Sequence, residues 1–303
     1  MPYVTTPVIL ATFVGIWQLY VSASGISPFV LPGPGPVFTN FGKEVATSFV
    51  WRQAIWPTIF QALVGFGFAL LIGAVLGFMI GKSRTFETVA NPFVVGSQVV
   101  PQVALIPLFL LWFGFGSTAK IVTAAMLAFF PILTNTAFGV KSIPPGMKEL
   151  FASMRATRMQ RFIRLEIPYT LANMLTGARI GMVMATVGAI VAEYLGGNNG
   201  LGAFAVSQQN QLQIPELFGS IVIMAVLGFV LYSGIEILRH LLIPWHESVS
   251  RPVRSRRRGG SAAAVVATAA AAGGAEQSRA QRAHDDARVG SAGPGGDRER
   301  SDG

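Results

Sequence analysis

The sequence predicts an all-α, polytopic membrane protein with about six transmembrane helices and one basic helical elbow on the cytoplasmic side. Two observations carry this. Of 303 residues, 51% are hydrophobic and 12% charged, and the apolar ones gather in blocks of about 20, the length a bilayer-spanning helix needs. A soluble chain would interleave apolar and charged residues at helical or strand period, and this one does not. The charges that remain fall mostly at block ends, where they set orientation.

The first span is read at about 4–21, with Trp17 and Tyr20 near its far end; no basic region precedes it as in a secretory signal. Leu31-Pro-Gly-Pro-Gly-Pro36 breaks the helix, and Asn40 to Trp56 reads as a short interfacial segment carrying Lys43, Glu44 and Arg52. The second span, about 58–80, carries Gly73 and Gly77, with Gly81 just beyond. This small-residue stripe at steps of four lets a neighbouring helix approach closely. Gly81-Lys82-Ser83 also looks like the end of a phosphate-binding P-loop. That pattern needs glycine at position 76, where Leu76 stands, and a strand before it, where there is an apolar helix.

The third span, about 91–113, contains Gln98, Pro101, Gln102 and Pro107. The fourth, about 119–140, contains Pro131, Thr134 and Asn135. Prolines and amides at membrane depth cost free energy unless neighbouring helices or a water-lined cavity satisfy them. Gln98, Gln102 and Asn135 are therefore candidate pathway residues, with kinked helix packing as the alternative. The fifth span, about 178–195, ends with Glu193, a fourth candidate, as either a cavity-facing carboxylate or a polar residue arriving at the interface. The sixth, about 218–242, ends at Arg239 and His240, and Glu236 reads as an i,i+3 partner of Arg239.

Between the fourth and fifth spans, residues 141–177 carry Lys141, Lys148, Arg155, Arg158, Arg161 and Arg164 against Glu149 and Glu166. Two helices are expected, Met147 to Met154 and Thr157 to Ile167, the second stopped by Pro168. With the N-terminus cytoplasmic, the inside loops hold Lys82, Arg84, this basic elbow and Arg239, and the 196–216 outside loop holds no cation. The asymmetry places both termini and the elbow in the cytoplasm.

Other chemistries find little support. There is no cysteine, and His240, His246 and His284 sit in no metal-binding spacing. No convergent set of nucleophile, acid and base is visible, so no catalytic residue and no metal ligand is assigned. Residues 1–247 form one transmembrane domain. The 248–303 tail holds ten arginines and six acids among Ala, Gly and Ser, a composition expected to stay disordered. The net charge of +9 is thus read as membrane topology and tail, not as a nucleic-acid surface.

The stretch from Glu149 to Pro168, ELFASMRATRMQRFIRLEIP, resembles the EAA loop of binding-protein-dependent ABC importer permeases. PQVALIPLFLLWFGFG (101–116), Phe129-Phe-Pro-Ile132, and Glu193 with Gly200-Leu-Gly202 are similar to flanking segments in the nitrate, sulfonate and taurine branch of that family. The resemblance covers roughly residues 10–245. It implies a permease subunit in the bacterial inner membrane, taking a small solute from an extracytoplasmic binding protein. It implies a second permease copy and a separate ABC ATPase that binds ATP, with no cofactor on this chain. The solute would be of the nitrate, sulfonate or taurine type, or a pyrimidine- or flavin-like vitamin precursor, towards which the absence of a mid-membrane arginine cluster leans. The resemblance also makes the elbow a coupling helix, with Glu149, Ala152, Ser153, Met154, Arg155, Ala156, Thr157 and Arg158 at the ATPase contact. Leu150 and Phe151 replace the family's two alanines, and Arg155 stands where a turn glycine is usual. The alternative reading is a stand-alone secondary transporter or channel, which needs coupling carboxylates or a repeated broken helix; Glu193 is the one carboxylate that could serve it.

Overall fold

The structure, a computed structural model, describes residues 2–243, and the expected tail lies outside the described residues. All regular structure among them is helical. The elements are α1 (Pro2–Ser24), α2 (Pro34–Ala46), α3 (Ser48–Lys82), α4 (Arg84–Val99), α5 (Ile106–Phe113), α6 (Ser117–Lys141), α7 (Pro145–Ser153), α8 (Arg158–Gly196), α9 (Leu201–Asn210) and α10 (Ile214–Leu242).

The core is a three-helix layer with α6 in the middle, packed by small residues. Gly77 of α3 lies so close to α6 that a Cβ there would sit 2.5 Å from the Leu133 carbonyl oxygen, so no larger residue fits. Gly177 of α8 makes the equivalent approach to Pro131 and Asn135. Ala62, Ala69, Ala124, Ala128, Ala185 and Ala189 fill the remaining seam around Ile132 and Met182. Without water between the helices, such close packing supplies the attraction that hydrophobic burial supplies in soluble proteins.

Register along this layer counts the crossings. Gly65 meets Ala124, Gly77 meets Leu133 and Thr136, and Gly81 meets Val140, so α3 and α6 run parallel. The chain between them must return across the whole layer, and α4 and α5 make that return. The sequence expects one span at 91–113; the helix in fact begins at Arg84 and bends by 82°. Val100 and Pro101 are extended, because proline restricts the residue before it and cannot continue the ladder. Counting the bent pair as one crossing gives six. α8 runs antiparallel to α6, Gly139 meeting Thr170 and Asn173 while Gly188 meets Ala124.

Two expectations are corrected by one device. Pro168 does not stop a helix: α8 runs through it, and Arg52 lies inside α3 instead of in a separate interfacial segment. In both places a π turn precedes the proline, Trp51–Ile55 before Pro57 and Phe162–Glu166 before Pro168. The Trp56 N–H reaches back to the Trp51 carbonyl and the Ile167 N–H to the Phe162 carbonyl. A widened turn makes room for the proline ring, which in a regular helix would strike the carbonyl four residues back.

Candidate functional site

At the elbow end, α7 closes in a Schellman turn. The Ala156 N–H bonds the Phe151 carbonyl at 3.0 Å and the Arg155 N–H the Ala152 carbonyl at 3.0 Å. Arg155 is the residue in the left-handed conformation, with φ of 50°. The elbow therefore bends where the family glycine would stand, and an arginine occupies a backbone position that disfavours a Cβ. Thr157 then opens α8 with a reciprocal capping box. The Gln160 N–H bonds Thr157 Oγ1, and the Thr157 N–H bonds Gln160 Oε1.

The expected contact residues Glu149, Ala152, Ser153, Met154, Arg155, Thr157 and Arg158 are exposed on this elbow, and Ala156 is half-buried. Beside them Leu150, Met154 and Met159 present apolar side chains to solvent. Among the described residues, none of Lys148, Arg155, Arg158, Arg161 and Arg164 is in an ion pair. The base of the elbow, by contrast, is pinned. Lys82 Nζ donates 2.7 Å to Glu166, Lys141 pairs with Glu87 at 2.6 Å, and Phe162 meets Phe78 edge to face at 5.3 Å. Lys82 is thus an anchor, and Ser83 caps α4 by accepting from the Phe86 N–H, so Gly81-Lys82-Ser83 forms no phosphate loop.

In the middle of the layer, the α4–α5 break faces α6 and α8 across a cavity of about 590 Å³. Gln98, Gln102 and Asn135 all line it, with Thr134, Phe130 and Met184. Three of the four candidate pathway residues thus converge. Asn135 Nδ2 donates 2.8 Å to the Pro131 carbonyl, and its Oδ1 is the acceptor that remains on that side chain. The fourth candidate, Glu193, is fully buried and stands apart from this cavity.

Glu193 belongs to a clamp at the end of the layer opposite the elbow. Its carboxylate accepts from Thr58 Oγ1 at 2.8 Å and from the Gly202 N–H at 3.0 Å, at the N-terminus of α9, where the helix dipole favours an anion. Gly200 is in the left-handed region with φ of 103°, and a Cβ there would overlap the Glu193 carboxyl group. Lys120, also fully buried, holds the same loop by donating 2.9 Å to the Asn199 carbonyl and 2.7 Å to Asn199 Oδ1. Sequence spacing does not reveal Thr58 or Lys120 as partners, because they lie 135 residues from Glu193 and 79 residues from Asn199 respectively. On α2, which is not one of the spans, Glu44 accepts 2.6 Å from Gln208 Nε2 and burial pushes its carboxyl above the ordinary value, while Ser220 of α10 donates 2.7 Å to Gln208 Oε1. Glu236 pairs with Arg239 as expected and also with Arg179 of α8 at 2.8 Å.

Comparison with known proteins gives the following. Residues 69–247 match the family described as binding-protein-dependent transport system inner membrane component. The chain is 35% identical over 232 residues to the formylaminopyrimidine transport permease protein ThiX of Halalkalibacterium halodurans, covering 77% of this chain and 92% of that one. It is 34% identical over 247 residues to the riboflavin transport system permease protein RibX of Chloroflexus aurantiacus, covering 82% and 92%. It is 28% identical over 244 residues to the taurine transport system permease protein TauC of Escherichia coli, covering 79% and 89%. In fold it is similar to a chain of the MetNI methionine ABC transporter solved in inward-facing conformations, with a TM-score of 0.53, 17% identity, and coverage of 65% and 99%.

Proposed function

The chain belongs to the binding-protein-dependent transport system inner membrane component family, as a permease subunit of an ABC importer, and from this premise we propose how it works. A solute-binding protein delivers a small solute at the outer end, and a second copy of the permease completes the passage. A separate ATPase hydrolyses ATP and drives the elbow, with the membrane being the bacterial inner membrane and both termini cytoplasmic. The observation that carries this reading is the elbow itself. Its tip is exposed and basic, with no ion pair among the described residues, and its base is bonded to α3 and α4. A short helix so mounted moves as one body with α8, which is what carrying a nucleotide-driven movement into the membrane requires.

The relatives named for a formylaminopyrimidine and for riboflavin support a solute of the vitamin-precursor kind. The test is reconstitution with the ATPase and the binding protein in vesicles. Glu149→Lys and Arg158→Glu leave membrane insertion intact and abolish both uptake and ATPase stimulation. Unchanged uptake in both variants would remove the elbow from the coupling contact. Uptake that survives ATP depletion on an ion gradient would instead make the chain a secondary transporter.

A further inference from the structure

The cavity at the broken helix has a definite chemistry. Its polar wall consists of two glutamine amides flanking the Pro101 break, the Asn135 amide and the Thr134 hydroxyl, and among the described residues no charged one lines it. Arg179, next to Ile180 in the chain, is neutralised by Glu236 at 2.8 Å and lies over the Tyr232 ring at 5.5 Å. A small anion in this cavity would find no cation, and an unpaired charge at membrane depth costs several kcal/mol. Amides behave differently: each offers a donor and an acceptor side by side, the complement of a ring amide or of an amino group beside a ring nitrogen. Phe130, Val103, Ile180 and Met184 supply apolar walls against which a flat ring can lie. A volume of about 590 Å³ is in the range of small-molecule sites. The interruption at Val100 and Pro101 frees backbone carbonyls at this depth, which is tolerated where they line a polar cavity.

We propose that this cavity is a solute site on the permease itself, built for an uncharged, planar heterocycle bearing amide-type hydrogen-bonding groups. It rests on the importer reading above, and adds to it that selectivity against small anions resides partly in the permease. Gln98 and Gln102 read the edge of the ring, Asn135 Oδ1 accepts from it, and Phe130 covers its face.

The experiment uses the permease assembled with its ATPase in lipid nanodiscs, without the binding protein, titrated with riboflavin by fluorescence and with taurine and nitrate as competitors. Saturable riboflavin quenching is expected, with no competition from either anion. Gln102→Leu and Asn135→Leu weaken it by about tenfold, the equivalent of one lost buried hydrogen bond. Thr134→Val, which preserves shape, guards against misfolding of the larger replacements and weakens binding by a smaller factor. Absence of saturable binding, competition by taurine or nitrate, or an unchanged Kd in all three variants overturns the site. An ATPase that never assembles with the permease overturns the importer reading first, so the two failures are told apart.

Discussion

Thr58 and Glu193, 135 residues apart in the chain, meet with the threonine hydroxyl 2.8 Å and 2.9 Å from the two carboxylate oxygens. The same hydroxyl oxygen accepts the Leu201 N–H at 2.9 Å, so α3, α8 and the start of α9 share one buried knot. Glu193→Ala leaves the Gly202 N–H without its partner and opens a void, and is expected to cost about 3 kcal/mol. Gly200→Ala, which drives a methyl into the carboxyl group, should cost more. Thermal unfolding of the purified variants checks both, and a melting temperature unchanged in Glu193→Ala would contradict the clamp.

Arg155 separates stability from docking. Arg155→Gly removes the left-handed strain and should stabilise the elbow by about 1 kcal/mol. Slower amide hydrogen exchange across 145–161 is the readout, and Arg155→Val should accelerate it. If the guanidinium also meets the ATPase, Arg155→Gly lowers stimulation while the elbow becomes firmer, which a purely structural residue would not do.

Gln61 is fully buried in α3, and neither atom of its amide has a hydrogen-bond partner. Gln61→Leu should therefore stabilise by about 1 to 2 kcal/mol. A melting temperature that falls on this change would mean the amide has a use that outweighs its burial.

Glu44 makes a pH prediction. Burial raises its carboxyl above the ordinary value, opposed by the bonds from Gln208 and Ser220. The folded protein thus holds this proton more tightly than the unfolded one, and the stability it contributes is lost as pH rises from the ordinary carboxylate value through the raised one. Glu216 is the other titratable group acting on it. Glu44→Gln should flatten this slope and raise the melting temperature at neutral pH, measured between about pH 4 and 8.

The spans were legible because membrane crossing is a local property of about 20 residues, and α6 and α10 begin within a few residues of the expected positions. A turn at Arg155 is an open question in the sequence, since an arginine stands where the motif has glycine, and the φ of 50° answers it. Pro168 was misread because proline as a helix stop is a rule for regular α geometry, and a π turn escapes it. The setting of Glu193 is open in the sequence because a carboxylate near a span end looks the same whether it faces a cavity or a buried threonine. Only the register of α3 against α8 decides between the two. Gln98 and Asn135 could be picked out one by one as amides at depth, but their convergence depends on the 82° bend, which sequence spacing does not encode.

The elbow's second segment and the Glu193 clamp are parts of one uninterrupted helix. α8 has 39 residues, from Arg158 at one face of the bilayer to the turn after Glu193 at the other, a rod of about 57 Å at the usual rise per residue. Were it pivoted at its elbow end, a tilt of about 5° would sweep the far end sideways by about 5 Å, roughly the rise of one helical turn. The loop there, tied to α8 through Gly202 and to α6 through Asn199 and Lys120, would be pulled by that stroke. Opening one mouth and loosening the other would then be a single lever stroke, with no relay of intermediate contacts between them.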